Sequence, residues 1–268
     1  MSIAKLDGIE LYYELLGAGP RLLIISGTGG DLRRRPGLQD SPLPRLFTVL
    51  AYDQRGLGRS GKPDSPYSMA DYADDAAGLM AALGWDSARV LGISFGGMVA
   101  QEFALRHPAR VERLGLACTS PGGAGGASYK LHELAGLDAA ARARHMLAVV
   151  DTRRDAEWQA ADPKRCQAAL DEMIAAARPI DPDDPAVAMG AGRQLEARAG
   201  HDSFDRLKQL TMPVGIFGGI HDGMALPVAQ EAMKGQIPQA QLRLFEGGHM
   251  FMLQDPAAFP AIVEFLAG

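Results

Sequence analysis

The chain has only two cysteines in 268 residues, Cys118 and Cys166. They stand far apart and form no close-spaced pair, so neither a disulfide framework nor a thiolate metal or redox motif is encoded, and two free thiols suit a reducing compartment. Basic residues are not in excess. Lys and Arg number 27 against 32 Asp and Glu, a net charge of −5, which gives no electrostatic footing for nucleic acid or an anionic membrane. No apolar run approaches the roughly 18 residues that a membrane span needs. The first eight residues lack the basic-then-apolar layout of a secretory signal, so a cytoplasmic location is expected. Internal repeats and low-complexity tracts are absent as well.

What is present is a hydrophobic fraction of 47%, ample for a large core, and a length that suits one α/β domain carrying an insertion. Asp7-Gly8 reads as a hairpin turn between strands at 3–6 and 9–15. Strand-like runs at 22–25, 47–52, 90–93 and 114–118 then alternate with helix-like runs at 71–83 and 97–107. In the first of these helices Tyr72, Ala76, Leu79 and Leu83 follow helical spacing. Such alternation predicts a mostly parallel sheet with helices on both faces.

The most informative segment is Gly92-Ile93-Ser94-Phe95-Gly96. A short apolar strand leads into it and an Ala-rich helix follows, the setting of a G-x-S-x-G nucleophile elbow. The turn is so tight that the positions two before and two after the serine must be nearly free of side chain. The Ser94 hydroxyl is then pushed out near a helix N-terminus, which favours developing negative charge.

A serine hydroxyl is a weak nucleophile and requires a base and an orienting acid. With this elbow they follow in the order Ser, acid, His. Of six histidines, His249 lies in a glycine-flanked loop, Glu246-Gly247-Gly248-His249, just after a strand-like run at 241–245. A helix is expected to open near Asp255-Pro256. Asp222 follows another apolar run at 213–217, with room for one helix and one strand before His249. A right-handed crossover sets those two strands side by side and lets their C-terminal loops meet. His221 beside it leaves no acid behind it. The predicted triad is Ser94, His249 and Asp222, with an acid at the end of the sixth strand as the alternative to Asp222.

Acyl transfer also needs donors for the oxyanion. The run at 21–25 ends in Ser26-Gly27-Thr28-Gly29-Gly30, a loop able to aim a backbone N–H. Thr28 is assigned that role, with Phe95 N–H as partner and Gly29 as the substitute if the register differs by one. The same loop does not read as a phosphate cradle, because no Lys-Ser or Lys-Thr follows and the spacing is not G-x-G-x-x-G.

Together these segments resemble an α/β-hydrolase fold serine hydrolase over essentially the whole chain. Asp53-Gln54-Arg55-Gly56-Leu57-Gly58-Arg59-Ser60 is similar to the family's D-x-R-G-x-G-x-S loop. The resemblance implies a structural role there, with Asp53 and Arg55 bracing the turn beside the oxyanion loop. One departure is Ser26-Gly27, where many members carry His-Gly. The elbow and the following Arg106-His107-Pro108-Ala109-Arg110-Val111 resemble carboxylesterases and 3-oxoadipate enol-lactonases. A serine at the nucleophile position excludes the dehalogenase and epoxide-hydrolase relatives, which use Asp. Meta-cleavage carbon–carbon hydrolases stay open, as does a slow-turnover ligand receptor of the same fold.

The resemblance implies an eight-stranded core formed by residues 1–120 and 208–268. Between 121 and 207 the strand pattern stops, after the link Pro121-Gly122-Gly123-Ala124-Gly125-Gly126. Helix-like runs follow at 139–150, 153–160 and 163–177, then Pro-Asp punctuation at 179–185. This stretch is expected to form a helical cap inserted after the sixth strand. Its apolar residues, among them Leu131, Leu134, Leu147, Val150, Met173 and Met189, would seal a water-excluding pocket. Gly29, Leu137, Met146, Trp158 and Met250 are the expected substrate contacts, and His132, His145 and His201 read as solvated. Arg33-Arg34-Arg35 reads as a solvated charge run, although a carboxylate-bearing substrate would want one such cation near the pocket. The expected reaction is hydrolysis of a small ester or lactone, with no metal or organic cofactor, by a monomer or homodimer.

Overall fold

The computed structural model describes residues 2–35, 37, 40–134 and 136–268. Asp7-Gly8 does close a hairpin between β1 (Ser2–Leu6) and β2 (Ile9–Leu16), and Gly8 takes the left-handed φ of 77° that such a turn asks of glycine. Then come β3 (Arg21–Ile25), β4 (Thr48–Tyr52), β5 (Ala88–Ile93), β6 (Val111–Ala117), β7 (Val214–Gly219) and β8 (Gln241–Phe245). They join one eight-stranded sheet in the order β1-β2-β4-β3-β5-β6-β7-β8. The pairings of β1 with β2 and of β2 with β4 are antiparallel; the others are parallel. This is the mostly parallel sheet that the alternation predicts.

The period-2 geometry of a strand divides its apolar residues between two cores. On β3, Leu23 and Ile25 face one side and Leu22 and Ile24 the other; on β7, Val214 and Ile216 oppose Phe217. The first side is covered by α1 (Met69–Ala82), α2 (Phe95–Arg106) and α7 (Pro227–Gln236), through residues such as Leu79, Phe103 and Met233. The second is covered by α8 (Phe251–Gln254) and α9 (Ala258–Ala267), through Phe251, Ile262 and Leu266. Each such apolar side chain contributes about 1.5–3 kcal/mol when fully buried. The helix expected near Asp255 is therefore two: a short one ends at Gln254 and the longer one starts beyond Pro256.

The chain order reverses between β3 and β5, because β4 lies outside β3 while β5 lies on its other flank. Loops leaving the C-terminal ends of β3 and β5 diverge there and open a crevice, the usual ligand position in an open α/β sheet. The glycine loop at 26–30 follows β3, and Ser94 follows β5.

Between β6 and β7 the described chain forms four α-helices: α3 (Ala139–Val150), α4 (Ala156–Ala161), α5 (Pro163–Ala177) and α6 (Pro185–Ala199). Each begins on an aspartate, Asp138, Asp155, Asp162 or Asp184, whose carboxylate accepts an otherwise orphaned N–H of the first turn. The first three match the expected helical runs. The fourth is additional, since Gly190 and Gly192 dilute its helical signal. Gly190 is there for a close approach: a Cβ on it would sit 2.1 Å from the carbonyl oxygen of Gly56, in the loop after β4.

Candidate active site

The elbow is built as its spacing requires. Ser94 takes φ 56° and ψ −117° immediately before α2, a region that costs a non-glycine residue about 1–3 kcal/mol and is tolerated where function needs it. The flanking glycines make room. A Cβ on Gly92 would lie 2.4 Å from the Gly96 carbonyl oxygen, and one on Gly96 would lie 2.0 Å from that of Ile25. The hydroxyl thus stands at the end of β5 against the end of β3.

The acid and base come from neighbouring strand ends, β7 and β8. His249 Nε2 lies 2.9 Å from Ser94 Oγ, and its Nδ1 lies 2.8 Å from Asp222 Oδ2. A carboxylate only accepts hydrogen bonds, so Nδ1 carries the proton and Nε2 is left to accept from the Ser94 hydroxyl. Asp222 is 1% exposed. Its other oxygen, Oδ1, accepts the N–H groups of Met224 at 2.7 Å and Ala225 at 3.0 Å, which fixes the carboxylate's rotation. His221, the neighbouring histidine, faces Glu246 instead.

The helices between β6 and β7 take part in holding these loops. The last carbonyls of an α-helix have no partner within it, and at the end of α3 two are used outward. Val149 O accepts Gly223 N–H beside the acid, at 3.0 Å, and Val150 O accepts the N–H of His249 itself, at 2.7 Å. The approach is close enough that a Cβ on Gly248 would meet Val150 O at 2.2 Å. Asp151 continues the brace: its Oδ2 accepts from Gln254, whose Oε1 accepts Gly248 N–H. Nothing in the sequence pattern pointed to Asp151 or Gln254.

On the β3 side, Gly29 N–H donates to Gln194 Oε1 of α6 at 2.8 Å. That donor is therefore engaged, and Gly29 does not line the cavity, contrary to its expected place among the substrate contacts. Among the described residues no protein acceptor takes the N–H of Thr28 or of Phe95, the two expected donors. Gln54 bridges to this loop where His-Gly relatives carry histidine, donating to Ser26 O at 2.8 Å. Asp53 accepts Leu32 N–H and Arg59 N–H, so it ties the loop after β3 to its own turn, while Arg55 pairs with Asp75 on α1. This is the bracing that the D-x-R-G resemblance implied.

A cavity of about 370 Å³ opens over Ser94 and His249. Thr28, Met146 and Met250 line it, as do Leu131, Val150 and Met173 of the segment after β6. Cys118, Arg142 and Met224 line it too and were not singled out from sequence. Burial, and then the Asp222 carboxylate, push the Cys118 thiol well above its ordinary range, which keeps it protonated. Two expected contacts are corrected. Leu137 is 43% exposed, just before α3 begins, and borders a neighbouring cavity rather than this one. Trp158 packs on the cluster of Leu147, Cys166 and Leu170, with Arg154 and Arg165 over its ring, because α4 packs on α5. His132, His145 and His201 are also outside the lining; His145 bonds Tyr129 and His201 is buried. The arginine run is tied elsewhere: Arg33 to Asp31 and Asp181, Arg34 to the Arg178 carbonyl, Arg35 to Asp40.

Among the described residues no group of His, Cys, Asp or Glu is placed to hold a metal ion, and no helix is long and apolar enough to cross a membrane.

Known proteins resemble the chain in sequence and in fold. An uncharacterised protein of Mycobacterium tuberculosis is 31% identical over 98% of this chain and 80% of its own length. The putative carbamate hydrolase RutD of Caulobacter vibrioides is 30% identical over 100% of this chain and 98% of its own. The solved enol-lactonase of Burkholderia xenovorans superposes with a TM-score of 0.78, covering 100% of both chains at 24% identity. The family model of the alpha/beta hydrolase fold matches residues 20–256, from the start of β3 to the gap between α8 and α9, and with the sheet order and elbow described above the chain belongs to that family.

Proposed function

We propose that the protein hydrolyses a small carboxylic ester or lactone through an acyl-enzyme on Ser94. The observation that carries this reading is the hydrogen-bonded line from Ser94 Oγ to His249 Nε2 and from His249 Nδ1 to Asp222 Oδ2, at 2.9 and 2.8 Å. His249 takes the Ser94 proton as Oγ bonds to the carbonyl carbon, and the N–H groups of Thr28 and Phe95 hold the oxyanion. The imidazolium, stabilised by Asp222, gives its proton to the leaving alkoxide as the C–O bond breaks. Water then attacks the acyl group with His249 as base, releasing the carboxylic acid and restoring Ser94. In a lactone the alcohol stays attached to the acyl product. The relatives' names, enol-lactonase and carbamate hydrolase, describe reactions at an acyl carbon and support the same class.

The segment at 121–207 acts in this reading as a lid that shields the acyl-enzyme and shapes its guest, with Met146, Met173 and Met250 as adaptable apolar contacts. The substrate is a small molecule. The test is turnover of p-nitrophenyl esters of graded chain length, with a lactone and a dienone alongside, by the wild type and Ser94→Ala. Ester turnover should be rapid and should fall by several orders of magnitude in the variant, with an acyl adduct on Ser94 visible by mass spectrometry in the wild type. Activity within about tenfold of wild type in Ser94→Ala overturns the assignment, and turnover of the dienone alone moves it to carbon–carbon hydrolysis.

A further inference from the structure

The cavity over Ser94 is not the end of the accessible space. A second cavity of about 330 Å³ lies beside it between α3 and α5. The two share Arg142, Met146 and Met173 in their linings. Beyond that shared neck the second cavity is walled mainly by apolar side chains, including Ala143, Ile174 and Ala177, and among the described residues the only other charged side chain on it is Arg178. No carboxylate lines either cavity, among the described residues.

Arg142 is half-buried at this neck. No carboxylate, carbonyl or aromatic ring among the described residues engages its guanidinium. Every other half-buried arginine is held by one: a carboxylate for Arg33, Arg55, Arg89, Arg193 and Arg206, a carbonyl for Arg34, Arg110 and Arg113, and the Trp158 ring for Arg154. A guanidinium drawn partly out of water toward an apolar wall loses hydration that only an anionic or strongly accepting partner restores. Its planar fork matches a carboxylate with two parallel hydrogen bonds. The 33–35 run, whose members are tied elsewhere, supplies no such unpartnered cation.

We propose that the two cavities form one elongated binding tract and that Arg142 receives a carboxylate carried by the substrate at the end remote from the scissile bond. The substrate class is then a half-ester of a dicarboxylic acid, with a short apolar spacer lying along Met146 and Met173. This deepens the ester and lactone reading above and rests on it for the position of the scissile bond.

The experiment compares the mono-p-nitrophenyl esters of glutaric and adipic acid with neutral p-nitrophenyl esters of equal chain length. The wild type should favour the carboxylate-bearing ester of each pair in kcat/KM. In Arg142→Met the charged-to-neutral ratio should fall on the order of 10- to 100-fold, the usual weight of a charge-assisted pair, mainly through KM. Arg142→Lys should restore part of the ratio, and added salt should erode it in the wild type. A ratio unchanged by Arg142→Met, or a wild type that prefers the neutral esters, overturns the proposal. Binding of glutarate and adipate to the wild type and to Arg142→Met, measured by calorimetry, separates it from the catalytic reading. Arg142-dependent binding without ester turnover leaves the carboxylate site standing and removes only the assignment to Ser94. No Arg142-dependent binding of either diacid, with normal ester turnover, removes the carboxylate site alone.

Discussion

Asp222→Asn is the substitution for which the structure sets both the direction and the size of the effect. Asparagine offers one acceptor oxygen and one NH2 where aspartate offers two acceptors. Two backbone donors, Met224 N–H and Ala225 N–H, converge on Oδ1 at 2.7 and 3.0 Å. Turning the amide so that its NH2 faces them sets donor against donors and leaves two buried N–H groups unpaired. At about 1–3 kcal/mol each, that amounts to about 2–6 kcal/mol. The asparagine is therefore held with its oxygen at the Oδ1 position and its NH2 toward His249 Nδ1. An NH2 there selects the imidazole tautomer protonated on Nε2, which aims a proton at Ser94 Oγ instead of accepting one. Productive turnover requires the rare flipped state, and about 2–6 kcal/mol corresponds to a loss of about 30- to 3×10⁴-fold. Losing the charge that stabilises the imidazolium adds to it, so kcat should fall by about 10⁴-fold. Asp222 does not line the cavity, so KM should move little. Burst and steady-state kinetics with p-nitrophenyl acetate, alongside a thermal melt, read this out. A fall in kcat of less than about tenfold, or an effect confined to KM, refutes the tautomer argument.

Two further outcomes are expected. In Gln194→Leu the Gly29 N–H loses its acceptor, but the buried Nε2 that has no partner disappears as well. Urea stability should therefore change little while kcat drops by about tenfold as the loop after β3, the proposed source of an oxyanion donor, loosens; an unchanged kcat refutes this link between α6 and the loop. Burial pushes the His201 imidazole down to about 4, against about 6.5 in an unfolded chain. The unfolded state thus binds a proton that the native state refuses, so stability is full above pH 6.5 and falls by up to about 3 kcal/mol as pH drops toward 4. His201→Leu should flatten that acid limb in denaturant titrations at pH 7.5 and 4.5, and a limb as steep as in the wild type refutes the assignment.

How much of this was legible in the sequence follows from which signals are local. The strand and helix alternation, the elbow and the triad candidates are short patterns in which one or two residues are dictated by backbone geometry. Gly92 and Gly96 are each forced by a carbonyl oxygen within 2.4 Å of where a Cβ would sit, and that requirement shows in the sequence as glycine at fixed spacing. The same holds for β3 and β7, whose apolar runs face two cores at once.

The segment after β6 is different, and the reason is physical. Its helices are polar on several faces and pack partly on one another, so an apolar residue there marks burial without saying against what. Trp158 and Met146 look alike in sequence as large apolar groups on helices. One packs among Leu147, Cys166 and Leu170, while the other packs with Leu131, Leu134 and Met224 and lines the cavity over Ser94, a difference set by how the helices pack and not by residue type. Gly190 and Gly192 concealed α6, although Gly190 is there because α6 touches the loop after β4. The residues that were overlooked act through backbone or through unmet charge. Val150 holds His249 by its carbonyl oxygen, for which any residue type would serve, and Arg142 is one arginine among many until its lack of a partner is seen. A site made from strand-end loops announces its reacting atoms in sequence. The groups proposed to choose its substrate lie on helices whose orientation is a tertiary fact.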